Sequence, residues 1–299
     1  MQLKGLDGTQ YFGFMAALGT FVLLDQDARR RGATVPRMSF GRDGTAVLGS
    51  DLPPDALAKA LFRGLDQWKA FLVGRLTDIG IPADLGAERM QSLSTPASRA
   101  ERDFLSGLAC AISEQVHEST LCAANGAGHQ KLVVSMRDVL DLLKEEHIET
   151  ALFAPWQRSY VVPSDDRKRL ALGARKPTLR LDPADERLYA LRATNPTTSD
   201  DFRTELGAQA LAIPAFTQLA VVPSRRPATV ASKRERQRVY FHWPLWEVPC
   251  TLTTVRSLIV AGVGREDELR QRGAFMALRV ARVAGDKGKL SFAPTEGVW

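Results

Sequence analysis

Adjacent aspartates and scattered histidines are the side chains of this sequence best suited to catalytic chemistry. Asp165-Asp166 and Asp200-Asp201 offer the carboxylates that a metal-dependent nuclease uses to hold a divalent cation. Both pairs stand in polar segments beside Arg or Thr, where adjacent carboxylates more often cap turns. A nuclease is therefore the less favoured alternative. The histidines are spread along the chain: His117, His129, His147 and His242.

A glycine-rich segment precedes His129. Gly128, His129 and Gln130 stand immediately before a predicted helix, and a helix N-terminus behind such a loop can bind an anion through its free N–H groups. The alternative is a turn that only caps the helix. Catalysis by His129 would need a partner side chain that the sequence does not identify.

Two basic segments give the stronger indication of function. A run of cations can neutralise the phosphates of a nucleic-acid backbone, although a solvated surface is the alternative. Large aromatic residues are missing from the second segment, so we expect backbone contacts more than base stacking. The first segment contains Arg167, Lys168, Arg169, Arg175 and Lys176. The second, within 224–238, contains Arg225, Arg226, Lys233, Arg234, Arg236 and Arg238, with Glu235 as its only acidic residue.

Two tryptophans and two prolines lie within 243–249. This density predicts a rigid, bulky corner after a strand. Such a corner either fills a gap in the core or presents Trp243 and Trp246 as a stacking or partner-docking surface.

Recognised catalytic motifs are missing from the sequence. It has no Walker A loop, no G-x-G-x-x-G, no G-x-S-x-G, no H-E-x-x-H and no C-x-x-C pair. We therefore expect a protein that is not an enzyme and that has no cofactor or metal.

Composition indicates a globular chain of one large domain or two ordinary ones. The 299 residues carry a net charge of +6, which modestly favours polyanionic partners. Three cysteines without paired spacing predict reduced, buried thiols and a cytoplasmic protein. The apolar run 11–24 is short and interrupted by glycine, so we expect a core helix rather than a membrane span.

Periodicity and turn signals predict an α+β fold of mixed helices with small antiparallel sheets. The chain is either one domain or two lobes: a mainly helical lobe with a hairpin over 1–150, and an α+β lobe with basic loops over 151–299. We predict helices over 10–31, 53–74, 96–117, 130–147, 182–192, 199–211 and 252–261. We predict a hairpin over 35–49, and strands over 213–222, 239–243, 275–284 and 290–292.

Several stretches, in chain order, resemble CRISPR-associated proteins of type I-G (formerly I-U) systems. The opening 3–9, followed by 13–19, looks like the start of those proteins, and 126–130 leading into 136–138 is similar to an internal stretch. The segments 181–183, 187–192, 207–212 and 255–258, together with the tryptophan corner, complete the resemblance. None of these motifs is a catalytic signature.

The resemblance implies a large-subunit-like component of a Cascade complex, the RNA-guided DNA surveillance complex of type I systems. Its partners would then be guide RNA, target DNA and other CRISPR-associated subunits. In such complexes base pairing reads most of the target, protein subunits hold the backbone, and one subunit reads a short flanking motif. Cleavage belongs to a separate helicase-nuclease. A protein-binding scaffold that touches no nucleic acid is the alternative role.

Overall fold

The computed structural model describes residues 1–122, 131–158, 160–161, 178–183, 203–224, 227–262, 265–284 and 290–299. Helices and small antiparallel sheets alternate through these ranges, which confirms the predicted α+β class. The α-helices of the described residues are α1 (Tyr11–Arg31), α2 (Pro54–Arg75), α3 (Ala87–Ser94), α4 (Arg99–Leu108), α5 (Leu132–Leu142), α6 (Glu145–Phe153), α7 (Leu206–Ala212), α8 (Leu252–Ala261) and α9 (Glu266–Gln271). The strands are β1 (Gln2–Asp7), β2 (Arg37–Phe40), β3 (Thr45–Gly49), β4 (Ala109–Ile112), β5 (Gln115–Glu118), β6 (Tyr160–Val161), β7 (Arg203–Thr204), β8 (Val221–Val222), β9 (Ala228–Thr229), β10 (Ser232–Glu235), β11 (Arg238–Trp246), β12 (Ala274–Ala284), β13 (Leu290–Phe292) and β14 (Glu296–Gly297).

Helix α1 forms the centre of the fold. Its sequence is apolar on nearly every side, and a helix of this kind must be buried all round. It packs against β1, α2, α7 and α8, so elements from both ends of the chain meet on it. The helix ends as predicted, with arginines in its last turn and Gly32 in the left-handed conformation at a φ of 64°. A single cluster of buried side chains consequently runs from Leu3 to Phe292.

No helix among the described residues combines the length and apolar character that crossing a bilayer requires.

Gly19 lies where α1 meets α7. A Cβ atom built at this position would lie 1.8 Å from the backbone oxygen of Leu211, far inside van der Waals contact. Backbone atoms cannot move aside as a flexible side chain would. We therefore expect Gly19→Ala to lower the free energy of unfolding by about 1–3 kcal/mol, as overpacked cores do, and urea unfolding measures this change.

Gly74, near the end of α2, supplies the matched control for that substitution. A Cβ atom built at Gly74 meets nothing within 4 Å. Alanine is favoured over glycine in helices, so Gly74→Ala should stabilise the protein by about 0.5–1 kcal/mol. If both variants are stabilised, close packing is not the reason for glycine at position 19.

The N-terminal sheet has the strand order β1-β3-β2. Its β2–β3 pair is the hairpin that the Asp43-Gly44 signal predicts, and Gly44 adopts a φ of 86° in the turn. The edge strand β2 is tied to the second half of the chain by two backbone hydrogen bonds of 2.9 Å between Met38 and Cys250. This link holds the segment after β11 against the N-terminal sheet.

The predicted helix over 96–117 is wrong in its second half. Helix α4 ends at Leu108, and 109–118 form the β4–β5 hairpin instead. The run of small and apolar residues here fits a strand as well as a helix, because periodicity cannot separate the two over so few residues. A tight turn at Ser113, where φ is 56°, connects the two strands of this hairpin.

The predicted helix over 130–147 is two helices. Leu143 and Lys144 are extended, and they separate α5 from α6. Both helices pack against α2 and α7, and the break lets α6 pack against β1 as well. The Lys144 N–H donates to Nδ1 of His147 over 3.1 Å and so closes the first turn of α6.

The predicted strand over 213–222 is also wrong in its first part. Ile213–Gln218 form a 3-10 helix whose side chains are all buried, and only Val221–Val222 are extended. A continuous apolar run is compatible with any fully buried element. Pro214 favours a helical first turn, where its missing N–H is not needed.

The largest sheet contains five strands in the order β10-β11-β12-β13, with β14 pairing with β12. Its strands β11, β12 and β13 cover the predicted strands 239–243, 275–284 and 290–292. Helix α8 is confirmed, and the Thr251 hydroxyl accepts from the Thr254 N–H at its start. One face of this sheet packs on α1 through the rings of Phe241 and Trp243. The other face points outward and holds the candidate site.

Candidate nucleic-acid interface

The structure describes four of the predicted binding residues: Lys233, Arg234, Arg236 and Arg238. The remaining ones lie outside the described residues, namely Arg167, Lys168, Arg169, Arg175, Lys176, Arg225, Arg226, Gly128, His129 and Gln130. The aspartates weighed for a nuclease, Asp165, Asp166, Asp200 and Asp201, also lie outside them. The interface is therefore built from the four described cations and their neighbours.

These four cations belong to a β-hairpin rather than to a loop. Strand β10 pairs with β11 in antiparallel register from Ser232 opposite Phe241 to Glu235 opposite Arg238. The two-residue turn between the strands holds Arg236 at a φ of 54°, in the left-handed region. Two-residue hairpin turns need such a conformation so that their twist matches the strands. We call residues 232–240 the basic hairpin.

The basic hairpin lies at the edge of the five-stranded sheet, and its four cations are solvent-exposed. Lys233 pairs with Glu235, with 3.1 Å between Nζ and Oε1. Arg234, Arg236 and Arg238 form no ion pair within the described part of the chain. Three arginines are therefore available at one edge for an anionic partner.

The register assigns these residues to opposite faces of the sheet. Lys233, Glu235 and Arg238 share the outward face with Tyr240, because directly opposed residues of an antiparallel pair lie on one face. Arg234 stands opposite Val239 on the other face of the sheet, where its side chain is exposed. Arg236 lies in the turn between the faces. The basic hairpin thus presents positive charge in more than one direction.

An ion-pair network orders the outward face. Arg279 on β12 reaches Glu235 over 3.3 Å and Glu296 over 3.0 Å. Its guanidinium carbon lies 4.5 Å from the centre of the Tyr240 ring, which is a cation–π contact. A hydrogen bond from Lys233 lowers the pKa of the Glu235 carboxyl, so this acid stays ionised and keeps the network charged.

A surface concavity of about 640 Å³ lies against the outward face of the basic hairpin. Its described lining residues are Glu235, Arg236, Gln237, Arg238 and Tyr240. The concavity therefore brings together one aromatic ring and two arginines that form no ion pair within the described ranges.

Tyr240 and Arg279 were missed by reasoning from the basic segment alone. The alternation of Val239, Tyr240, Phe241, His242 and Trp243 carries the signal that could have found the tyrosine. Phe241 and Trp243 pack inward, so a strand through these residues must point Tyr240 and His242 outward. No local signal in the sequence places Arg279 beside Tyr240, because the two residues meet across the sheet.

The predicted tryptophan corner is a strand whose indoles are buried. Trp243 and Trp246 lie within β11 and are each 1% exposed. Their Nε1 atoms donate to the backbone oxygens of Gly8 over 2.8 Å and Met38 over 2.7 Å. A stacking or docking surface formed by these indoles is therefore wrong, and the core-filling alternative is confirmed. The reason is that β11 lies in the interior of its sheet rather than at the surface.

His242 gives the outward face a pH dependence. Burial lowers the pKa of its imidazole, although Glu235 partly opposes the shift, and Nε2 is buried without a hydrogen-bond partner in the described part of the chain. A group whose folded-state pKa is depressed binds a proton more tightly in the unfolded chain. The free energy of unfolding should therefore fall as the pH decreases below about 6.5.

We expect His242→Gln to reduce this acid sensitivity. His147 also makes the protein less stable in acid, because burial lowers the pKa of its imidazole too. Urea unfolding of both proteins at about pH 7.5 and about pH 5.5 measures the difference. An unchanged pH dependence in the variant would show that His242 does not titrate on unfolding.

Three described residues of the resembling segments have close structural contacts. A Cβ atom at Gly13 would lie 2.0 Å from the Asp7 oxygen, and one at Gly207 would lie 2.0 Å from the His147 oxygen. Asp182 is buried and pairs with Arg158 over 2.6 Å. Gly13, Gly207 and Asp182 therefore contribute to the packing of the core.

Within the described ranges, no three His, Cys, Asp or Glu side chains come together in a way that could hold a metal ion. The described cysteines Cys110, Cys122 and Cys250 are free and buried, as predicted.

No protein-family model matches this chain, and no curated protein matches it significantly. The resemblance to type I-G CRISPR-associated proteins therefore stays a prediction from the sequence motifs.

Proposed function

We propose that this protein is a non-catalytic nucleic-acid-binding subunit of a type I CRISPR surveillance complex. The basic hairpin is the observation that carries the nucleic-acid part of the proposal. Three arginines that have no acidic partner among the described residues lie on an exposed sheet edge, and such a cluster matches the phosphates of a nucleic-acid backbone. The ordered motifs that resemble type I-G proteins support the CRISPR part.

The proposed contacts are to the backbone of guide RNA or target DNA. Arginine at a hairpin tip reaches phosphates without entering a base pair, so such contacts carry little sequence information. The glycine-rich segment before His129 and the cations over 167–176 lie outside the described residues, and their contacts stay a prediction from the sequence. Reading of a flanking motif would need hydrogen bonds to base edges in addition, and the proposed phosphate contacts of these arginines do not include them.

A salt series tests nucleic-acid binding by the purified protein. Affinity for duplex DNA, single-stranded DNA and structured RNA is measured by fluorescence anisotropy at several salt concentrations. We expect log affinity to fall linearly with log salt, with a slope of about 0.7–0.9 for each phosphate contact. Absence of binding to all three at low salt would contradict the proposal for the isolated chain.

Native purification tests the CRISPR assignment separately. The tagged protein is isolated from its own cells, and its bound RNA and proteins are sequenced. We expect guide RNA that derives from CRISPR repeats, together with other CRISPR-associated subunits. Co-purification with unrelated RNA alone would keep the nucleic-acid function and remove the CRISPR assignment.

The exposed tryptophans that would support the scaffold alternative are not observed. That alternative required an apolar surface around Trp243 and Trp246, and both indoles are buried. The nuclease alternative rests on aspartates outside the described residues.

A further inference from the structure

We infer that Tyr240 is a stacking platform for an unpaired nucleobase, so that the basic hairpin selects single-stranded over duplex nucleic acid. This inference rests on the proposed nucleic-acid function and deepens it. It also revises the expectation from sequence that this segment makes backbone contacts with little stacking.

The Tyr240 ring is held in place before any ligand arrives. Arg279 lies against the ring at 4.5 Å, and Glu235 and Glu296 fix the guanidinium from two sides. Tyr240 also stands on β11, between the neighbouring strands β10 and β12. A ring fixed in this way loses little conformational entropy when a base stacks on it, which favours binding.

The Tyr240 ring borders the same concavity as two arginines that have no ion pair among the described residues. Tyr240, Arg236 and Arg238 line the concavity of about 640 Å³. Arg238 and Tyr240 are two residues apart on one face of a strand, which corresponds to about 7 Å. A base stacked on the Tyr240 ring and a phosphate bound by Arg238 would therefore belong to the same nucleotide or to two adjacent nucleotides.

This geometry favours a single strand for a simple reason. In a duplex each base is covered by its stacked neighbours, so no base face is free for a protein ring. An unpaired strand exposes that face, and every base can use it whatever the sequence. The site therefore recognises a nucleotide by stacking and charge, without reading its hydrogen-bonding edge.

The test compares an oligothymidylate with a strand of equal length made of abasic residues. Anisotropy titrations use the full chain and the variant Tyr240→Leu. We expect the native protein to bind the base-containing strand about tenfold more tightly than the abasic strand. The variant should lose about tenfold in affinity for the base-containing strand alone, with an unchanged salt slope.

Tyr240→Phe and Tyr240→Trp are the controls, since both keep an aromatic ring. They should bind the oligothymidylate at least as tightly as the native protein, which separates stacking from a general loss of folding in the leucine variant. Equal binding of the two strands by the native protein would overturn the inference and leave the proposed function intact. Absence of salt-dependent binding to either strand would overturn both.

Discussion

Replacing Arg234, Arg236 and Arg238 with alanine should flatten the salt dependence of nucleic-acid binding. If each arginine neutralises one phosphate, the magnitude of the slope of log affinity against log salt should fall by about 2.1 to 2.7. The native protein would then lose about 20- to 40-fold more affinity than the variant between about 50 and 200 mM salt. Anisotropy titrations of both proteins against the same oligonucleotide measure this difference.

A charge-matched control separates local contacts from net charge. Lys4, Lys59 and Arg63 are exposed on β1 and α2, and no ion pair involves them within the described ranges. Their replacement by alanine removes the same charge from other elements. It should leave the salt slope nearly unchanged. If both triple variants lower the slope equally, the basic hairpin is not a specific contact surface.

The largest effect on stability is expected from Trp243→Ala. The indole is fully packed, contacts the Phe14 ring with 5.6 Å between centroids, and donates to the Gly8 oxygen over 2.8 Å. Its removal leaves a cavity between β11 and α1 and an unpaired backbone oxygen. Truncations of this kind lower the free energy of unfolding by about 3–5 kcal/mol, which chemical denaturation measures directly.

Two further variants show whether packing causes that loss. Trp243→Phe keeps a ring but loses the N–H donor, so we expect an intermediate destabilisation. Val260→Ala shortens a side chain that is 58% exposed and should change stability by no more than about 0.5 kcal/mol. A Trp243→Ala protein as stable as the Val260→Ala protein would contradict the buried position of the indole.

Strong local signals in the sequence predicted much of the fold. The wide apolar surface of 11–31, the Asp43-Gly44 turn and the Thr251 cap each specify their element without help from distant residues. Two of the failures fall on short apolar runs. The segments 109–118 and 213–218 carry no decisive period, and tertiary packing selects their conformation.

The candidate site was predicted less completely than the fold. Composition alone found the basic hairpin cations, because clustered arginines are visible in any linear window. The contact of Tyr240 with Arg279 depends on a register between strands that are almost forty residues apart in sequence. Alternation predicts which side chains point outward, whereas long-range pairing decides which of them meet.

Photocrosslinking of the full chain to a single-stranded oligonucleotide, with the crosslinked residues identified by mass spectrometry, tests directly whether the basic hairpin binds nucleic acid. We expect crosslinks within 225–240, centred on Arg236, Arg238 and Tyr240, and their loss at high salt. Efficient crosslinking confined to other surfaces, such as the exposed face of α2, would show that the basic hairpin does not contact nucleic acid.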